Sequence, residues 1–173
     1  LPVPRPALRL VQTAQGNVRI CFSHAPGEDV TDKMSDFTNS YLQGLGGLSG
    51  FIVCAKSPSC GMERVRLYDE KGNRGRKEGT GLFTGALMET YPWLPVEEDG
   101  RLHDPVLREN FVERVFALHE LNRLRANGLT RHGLLNFHSR YKLQLLAHHQ
   151  AGYREIGPFV ASLHQWDDLE AFF

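Results

Sequence analysis

Asp104-Pro105 divides the chain into two stretches with different apolar periodicities, and no single regular fold accommodates both. Before it, strand-length apolar runs alternate with helical segments and glycine-containing turns. After it, apolar residues recur every three or four positions. Asp104 suits a helix N-cap and Pro105 the first helical position. The pattern predicts an α/β part over residues 1–104 and a small all-α part over 105–173.

Within the first part, "LRLVQ" and "VRICF" are strand candidates joined by a turn at "AQGN". "EDVTDKMSDFTNSYLQGL" places Met34, Phe37, Tyr41 and Leu45 at helical spacing, with Gly46-Gly47 as its stop. "GFIVCA" is a near-continuous apolar run of the kind buried in a parallel sheet. "ERVRLYD" alternates, "KGNRGRKEGTG" reads as a loop, "GLFTGALMETYP" as a helix, and "WLPVEEDG" as a last extended segment. This order predicts a Rossmann-like parallel sheet layered with helices. Ligands of such sheets sit beyond the carboxyl ends of the strands.

In the second part, Leu107, Phe111, Val115 and Leu118 share one helical face, and Asn127-Gly128 ends that helix. Thr130 starts another, with Leu134, Phe137, Tyr141 and Leu145 in register. A third is expected over Tyr153–Leu163, after an interruption at Gly152.

Twenty basic and twenty acidic residues balance among 173, so net charge names no partner. No apolar run reaches the ~18–20 residues needed to cross a bilayer. Three irregularly spaced cysteines argue against a disulfide framework and for a reducing, cytoplasmic location. The chain starts without methionine and without an apolar signal core, and reads as cut from a longer protein at both ends.

The apolar run at 51–55 ends in "KSPSCG". Cys60 is either a core cysteine in a tight turn or a thiolate beside Lys56. Pro58 fixes the turn, and Gly61 lets a ligand approach the backbone. Ser57 and Ser59 are candidate catalytic hydroxyls, although serines in turns most often bond the local backbone. Cys54 and Cys21 read as core.

"CAKSPSCG", followed by "YD", a glycine-rich loop and "GTGLFTGALME", resembles the thiouracil desulfidase (TudS-like) family. "LPVPRPALRLV" and "DVTDKM" fit the same family, so the resemblance covers about residues 1–98. From about residue 107, "HELNRLRANGLTRHGLLNFHSRYKLQLLAH" resembles the YbgA-like helical domain. The fusion is similar to bacterial desulfidases that remove sulfur from 4-thiouridine in tRNA. The resemblance implies a [4Fe-4S] cluster on three cysteines, with one iron open to the thiocarbonyl sulfur. It also implies that water replaces the sulfur, giving uridine without net redox change. Of this chain only Cys60 matches a ligand motif; the other two motifs are expected before Leu1.

Arg74, Arg76 and Lys77 follow Lys71 in the glycine-rich loop, and Gly79-Thr80-Gly81 leads into a helix whose first amides suit a phosphate. Arg5 and Arg9 are further phosphate candidates, and Lys56 is a substrate candidate. Arg131, His138, Lys142 and His149 fall within about 20° on a helical wheel. Residues 101–154 carry nine Lys/Arg against four Asp/Glu, a modest footprint for tRNA. Three alternatives stay open. They are a desulfidase of free thiouracil or thiolated nucleotides, a nucleic-acid-binding protein with structural Cys60, and a thiol enzyme with Cys60 as nucleophile.

Overall fold

The computed structural model describes residues 6–25 and 27–170. The chain divides into two compact units, with the boundary between Arg114 and Val115.

The first unit contains strands β1 (Leu8–Gln12) and β2 (Val18–Phe22), helix α1 (Thr31–Gln43), and strands β3 (Phe51–Val53), β4 (Val65–Asp69) and β5 (Arg74–Gly79). Helix α2 (Leu82–Thr90), strand β6 (Val96–Glu98) and a short turn of 3-10 helix at Arg101–His103 follow. Four strands form one sheet in the order β2-β1-β4-β5, while β3 and β6 form a separate parallel pair. Strand β1 runs parallel to β4, with Leu10 opposite Leu67, but antiparallel to β2; β4 and β5 are antiparallel. The unit is thus mixed α/β. The expected continuous parallel sheet is not what these strands make, because two tight hairpins impose antiparallel neighbours.

Both hairpin turns follow from their residues. Gly16 takes φ +89° in the first, where the Thr13 hydroxyl accepts from the Asn17 amide at 3.1 Å. In the second, Gly72 takes φ +83° and Asp69 accepts from the Asn73 amide and side chain at 2.7 and 2.8 Å. These bonds hold the Asp69 carboxyl below its ordinary range. The loop expected at "KGNRGRKEGTG" is therefore mostly strand. An edge strand needs no buried face, and charged residues suit it because they discourage pairing with another chain. Leu10, Ile20, Val65 and Leu67 form the core cluster beneath the sheet, with Met34 and Leu82 packed on it. Helix α1 buries Thr38 and Leu42, whereas Phe37 and Tyr41 stack on each other at the surface.

Helix α3 (Pro105–Ala126) begins as expected, with Asp104 accepting from the Val106 amide at 2.8 Å. It stops before Gly128 at φ +82°. Helix α4 (Arg131–His148) is capped by the Thr130 hydroxyl, which accepts from the Gly133 amide. Helix α5 (Gln150–Ser162) starts earlier than expected, with the His149 ring accepting from the Gly152 amide. Gly152 therefore lies in the first turn of α5 and does not interrupt it. Within the second unit, Glu120 receives two bonds from Arg140 at 2.7 Å and one from the Tyr141 hydroxyl at 2.9 Å, tying α3 to α4. Burial and then the Glu120 carboxylate raise the Tyr141 hydroxyl above its ordinary range. Among the described residues, no helix is long and apolar enough to cross a membrane.

Candidate functional site

The loop between β3 and β4 carries Cys60, and its hydrogen bonds explain its residue types. The Ser57 hydroxyl accepts from the Ser59 and Cys60 amides at 3.3 Å each, and the Gly61 amide donates to the Ser57 carbonyl at 2.8 Å. Ser57 is a turn-former here. The loop's carbonyls are then taken by the start of α2. Leu82, Phe83 and Gly81 amides donate to Pro58, Ser59 and Gly61, and the Thr84 hydroxyl donates to Cys60. A Cβ on Gly81 would lie 2.5 Å from the Ser59 carbonyl carbon, and one on Gly61 would lie 2.6 Å from Val65. Gly81 permits close packing of the loop against the helix, and Gly61 lets the loop fold back on Ser57 and Val65.

The other side of the loop is held by three consecutive acids from β6 and the residue after it. Asp99 accepts from the Ala55 amide at 2.9 Å, at the loop's start. Glu98, 3 % exposed, accepts from the Met62 and Glu63 amides at 2.9 and 3.4 Å, near its end. Glu97, also buried, holds Arg101 at 2.7 Å, and Arg101 in turn pairs with Glu63. Lys56 and Arg64, next to these anchors, adopt left-handed backbone at φ 61° and 55°. Such residues cost about 1–3 kcal/mol each and persist only where surrounding contacts enforce them. Sequence reasoning passed over "EED" as part of an extended segment; a buried run of acids has no periodic signature.

Cys60 is half-buried, Cys21 is buried in the sheet, and Cys54 is exposed. The expectation that Cys54 is core fails because β3 ends at Val53, leaving the next side chain outside the strand pair. The Asp99 carboxylate, first among several causes, raises the Cys54 thiol above its ordinary range. Bonds from the Ala55 and Gly100 amides keep Asp99 itself ionised to lower pH. Asp99→Asn retains an oxygen for those amides but removes the charge. At pH 8 it is expected to speed alkylation of Cys54 by iodoacetamide, measured by peptide mass spectrometry. An unchanged rate would show that the carboxylate does not set the reactivity.

Among the described residues, no three His, Cys, Asp or Glu side chains are grouped to hold a metal ion. Iron–sulfur clusters are held by several cysteine thiolates, and Cys60 offers one. The described residues alone therefore do not fit a [4Fe-4S] cluster.

The remaining candidates fall in separate places. Arg5 lies outside the described residues. Gly79 sits against Leu67, Val65 and Leu10, at the end of β5 nearest the Cys60 loop. Strand rise puts Arg74 about 16 Å farther along, opposite Tyr68, with Arg76 and Lys77 between them. The amides at the start of α2, expected to be open to phosphate, are occupied by the loop. Arg9 stacks on Tyr68 at 5.3 Å and lies beside Gly72, at the far end of β4 from Cys60. In the second unit, Arg131 donates to the Leu163 and Trp166 carbonyls at 3.0 and 2.8 Å. His138 and Lys142 line an otherwise apolar cavity of about 300 Å³ with Leu134, Phe137 and Tyr141. Burial, then Lys142, depress the His138 imidazole below its ordinary range. The expected stripe is thus divided among a carbonyl clamp at Arg131, a cavity wall at His138 and Lys142, and the cap of α5 at His149.

A family model described as 2-thiouracil desulfurase matches residues 1–99. The chain belongs to the 2-thiouracil desulfurase family. The matched region includes the Cys60 loop, the start of α2 that closes it and all three acids from Glu97 to Asp99. Over 60 residues the chain is also 60 % identical to an uncharacterised protein, YbgA, of Escherichia coli strain K12. That stretch is 35 % of this chain and 36 % of YbgA, so the chain spans about a third of the relative it matches. A desulfurase domain joined to a YbgA-like segment agrees with both motif resemblances. No solved structure matches the chain.

Proposed function

We propose that this chain belongs to a desulfidase acting on 4-thiouridine in tRNA, with Cys60 at its reacting centre. The observation that carries the reading is the desulfurase match over the whole of a loop braced from both sides around one cysteine. In the reaction, a water oxygen replaces the thiocarbonyl sulfur. The sulfur leaves as hydrogen sulfide, so no electrons are gained or lost. The cofactor half of the reading is a [4Fe-4S] cluster with Cys60 as one thiolate ligand. It requires further thiolates from outside the described residues. Within the chain, the loop's role is to hold the Cys60 sulfur in one position while turn, helix and acids keep its backbone satisfied.

The tRNA half is supported by the basic side chains of β5. Arg74, Arg76 and Lys77 lead away from the loop along an exposed strand, where phosphates of a bound backbone can be neutralised in succession. A second reading, desulfidation of free 2-thiouracil, is favoured by the family description itself.

Anaerobic iron–sulfur reconstitution of the protein containing this chain, followed by nucleoside analysis of treated tRNA, tests the proposal. Conversion of 4-thiouridine to uridine by the parent protein, and none by Cys60→Ser, is the expected result. Turnover of free thiouracil with unchanged tRNA would support the second reading. Full activity of the serine variant would remove Cys60 from the chemistry.

A further inference from the structure

Helices α1 and α2 enclose a cleft of about 270 Å³ lined by Ser35, Thr38, Asn39, Thr80, Gly85 and Glu89, together with the Gly81 backbone. Small-molecule pockets for drug-sized ligands run from about 300 to 1,000 Å³, so this one suits a single ring. Its polar groups are two threonine hydroxyls, a serine hydroxyl, an amide and one carboxylate. No lysine or arginine lines it, and Glu89 would repel a phosphate.

Two further observations mark it as more than a packing groove. Thr38 is 2 % exposed, and its hydroxyl is buried without a hydrogen-bond partner. A buried polar group left unpaired costs free energy. Thr38 lines the cleft, and a χ1 rotation between the two rotamers open to threonine in a helix would turn its hydroxyl to a ligand that recovers that cost. The cleft also opens beside the reacting loop: Gly81, in its wall, packs directly on the Ser59–Cys60 peptide. From there α2 carries the cleft toward Glu89, about 12 Å away at the helical rise of 1.5 Å per residue.

We propose that this cleft binds the pentose of a pyrimidine nucleoside, with Thr38 and Glu89 bonding its hydroxyls. The inference rests on the desulfidase reading and adds to it a means of preferring nucleosides over free bases. A neutral, hydroxyl-rich ring matches the hydroxyl and amide lining, and a carboxylate is a good acceptor for a ribose hydroxyl. The cleft carries no cation for a phosphate, which would have to be met elsewhere.

Three variants test this in the full chain. A Cβ on Gly85 would meet only the Thr80 methyl, at 3.8 Å, so Gly85→Leu extends into the cleft without displacing backbone. Thr38→Val removes the hydroxyl while keeping the shape, and Glu89→Gln removes the charge. Calorimetric affinities for uridine and for uracil are compared. Wild type is expected to favour uridine, and each variant to cut the uridine-to-uracil ratio about tenfold or more, as expected for a lost hydrogen bond to a charged or buried group. An unchanged ratio in all three, or no uridine preference in wild type, overturns the proposal. Turnover of 4-thiouridine and 4-thiouracil by the reconstituted protein containing this chain is measured alongside. If neither reacts, the desulfidase reading fails, and uridine affinity still decides the cleft.

Discussion

Glu98→Ala is expected to lower the stability of the first unit by about 2–4 kcal/mol, because two amides that this buried carboxylate satisfies are left without an acceptor. The effect should concentrate in the Cys60 loop. Met62 and Glu63 precede Arg64, whose left-handed backbone needs outside enforcement. With the anchor gone, Arg64 can relax and Cys60 should alkylate faster under native conditions. Glu98→Gln keeps an oxygen in the same place and is expected to stay close to wild type in both respects. Urea unfolding and peptide-resolved alkylation read the two effects separately. Equal stability of the alanine and glutamine variants would show that the amides find acceptors elsewhere and that the brace is dispensable.

Gly81→Ala should be comparably damaging. Its new methyl would stand 2.5–2.6 Å from three backbone atoms of Ser59 and Cys60, which cannot rotate away as a side-chain tip can. Relief requires the loop and α2 to separate, stretching the Gly81–Gly61 and Phe83–Ser59 bonds. Overpacking of this sort costs about 1–3 kcal/mol and occasionally more. Gly85→Ala, four residues along the same helix, is the matched control. It meets only ordinary contact and gains helix propensity, so a stabilisation of up to about 1 kcal/mol is expected. Thermal unfolding of the pair should therefore move in opposite directions. Movement in the same direction would mean that the clearance at Gly81 does not matter.

Local chemistry was legible in the sequence wherever it depended on neighbours in the chain. Asp104 and Thr130 cap helices, Gly128 stops one, and "AQGN" turns, because each acts within four residues of itself. The Cys60 turn was legible for the same reason, and its family resemblance is matched by the desulfurase assignment. Strand order was not. Whether β1 lies beside β4 or β3 depends on residues far apart in the chain, and a parallel run such as "FIV" gives no address for its partner. The charged β5 looked like loop because an edge strand shows no apolar alternation. The placement of the EED acids was equally hidden: nothing near Glu98 in sequence reveals that it will meet Met62. The wheel put Arg131 and His138 on one face, but exposure along that face depends on α5 and the Leu163–Trp166 segment.

The order of the strands also bears on when the reactive loop acquires its shape. Each antiparallel hairpin joins neighbours in the chain and can close within about 1–10 μs. The parallel contacts, β1 with β4 and β3 with β6, join distant segments and pay the loop-closure entropy first. The acceptors that seat both ends of the Cys60 loop arrive only with β6 and Asp99. A chain growing from a ribosome would thus hold Cys60 in a loop whose two ends are unseated until roughly forty more residues had followed it out. In pulsed hydrogen exchange, the Ala55 and Met62 amides should gain protection together and after those of β1 and β2.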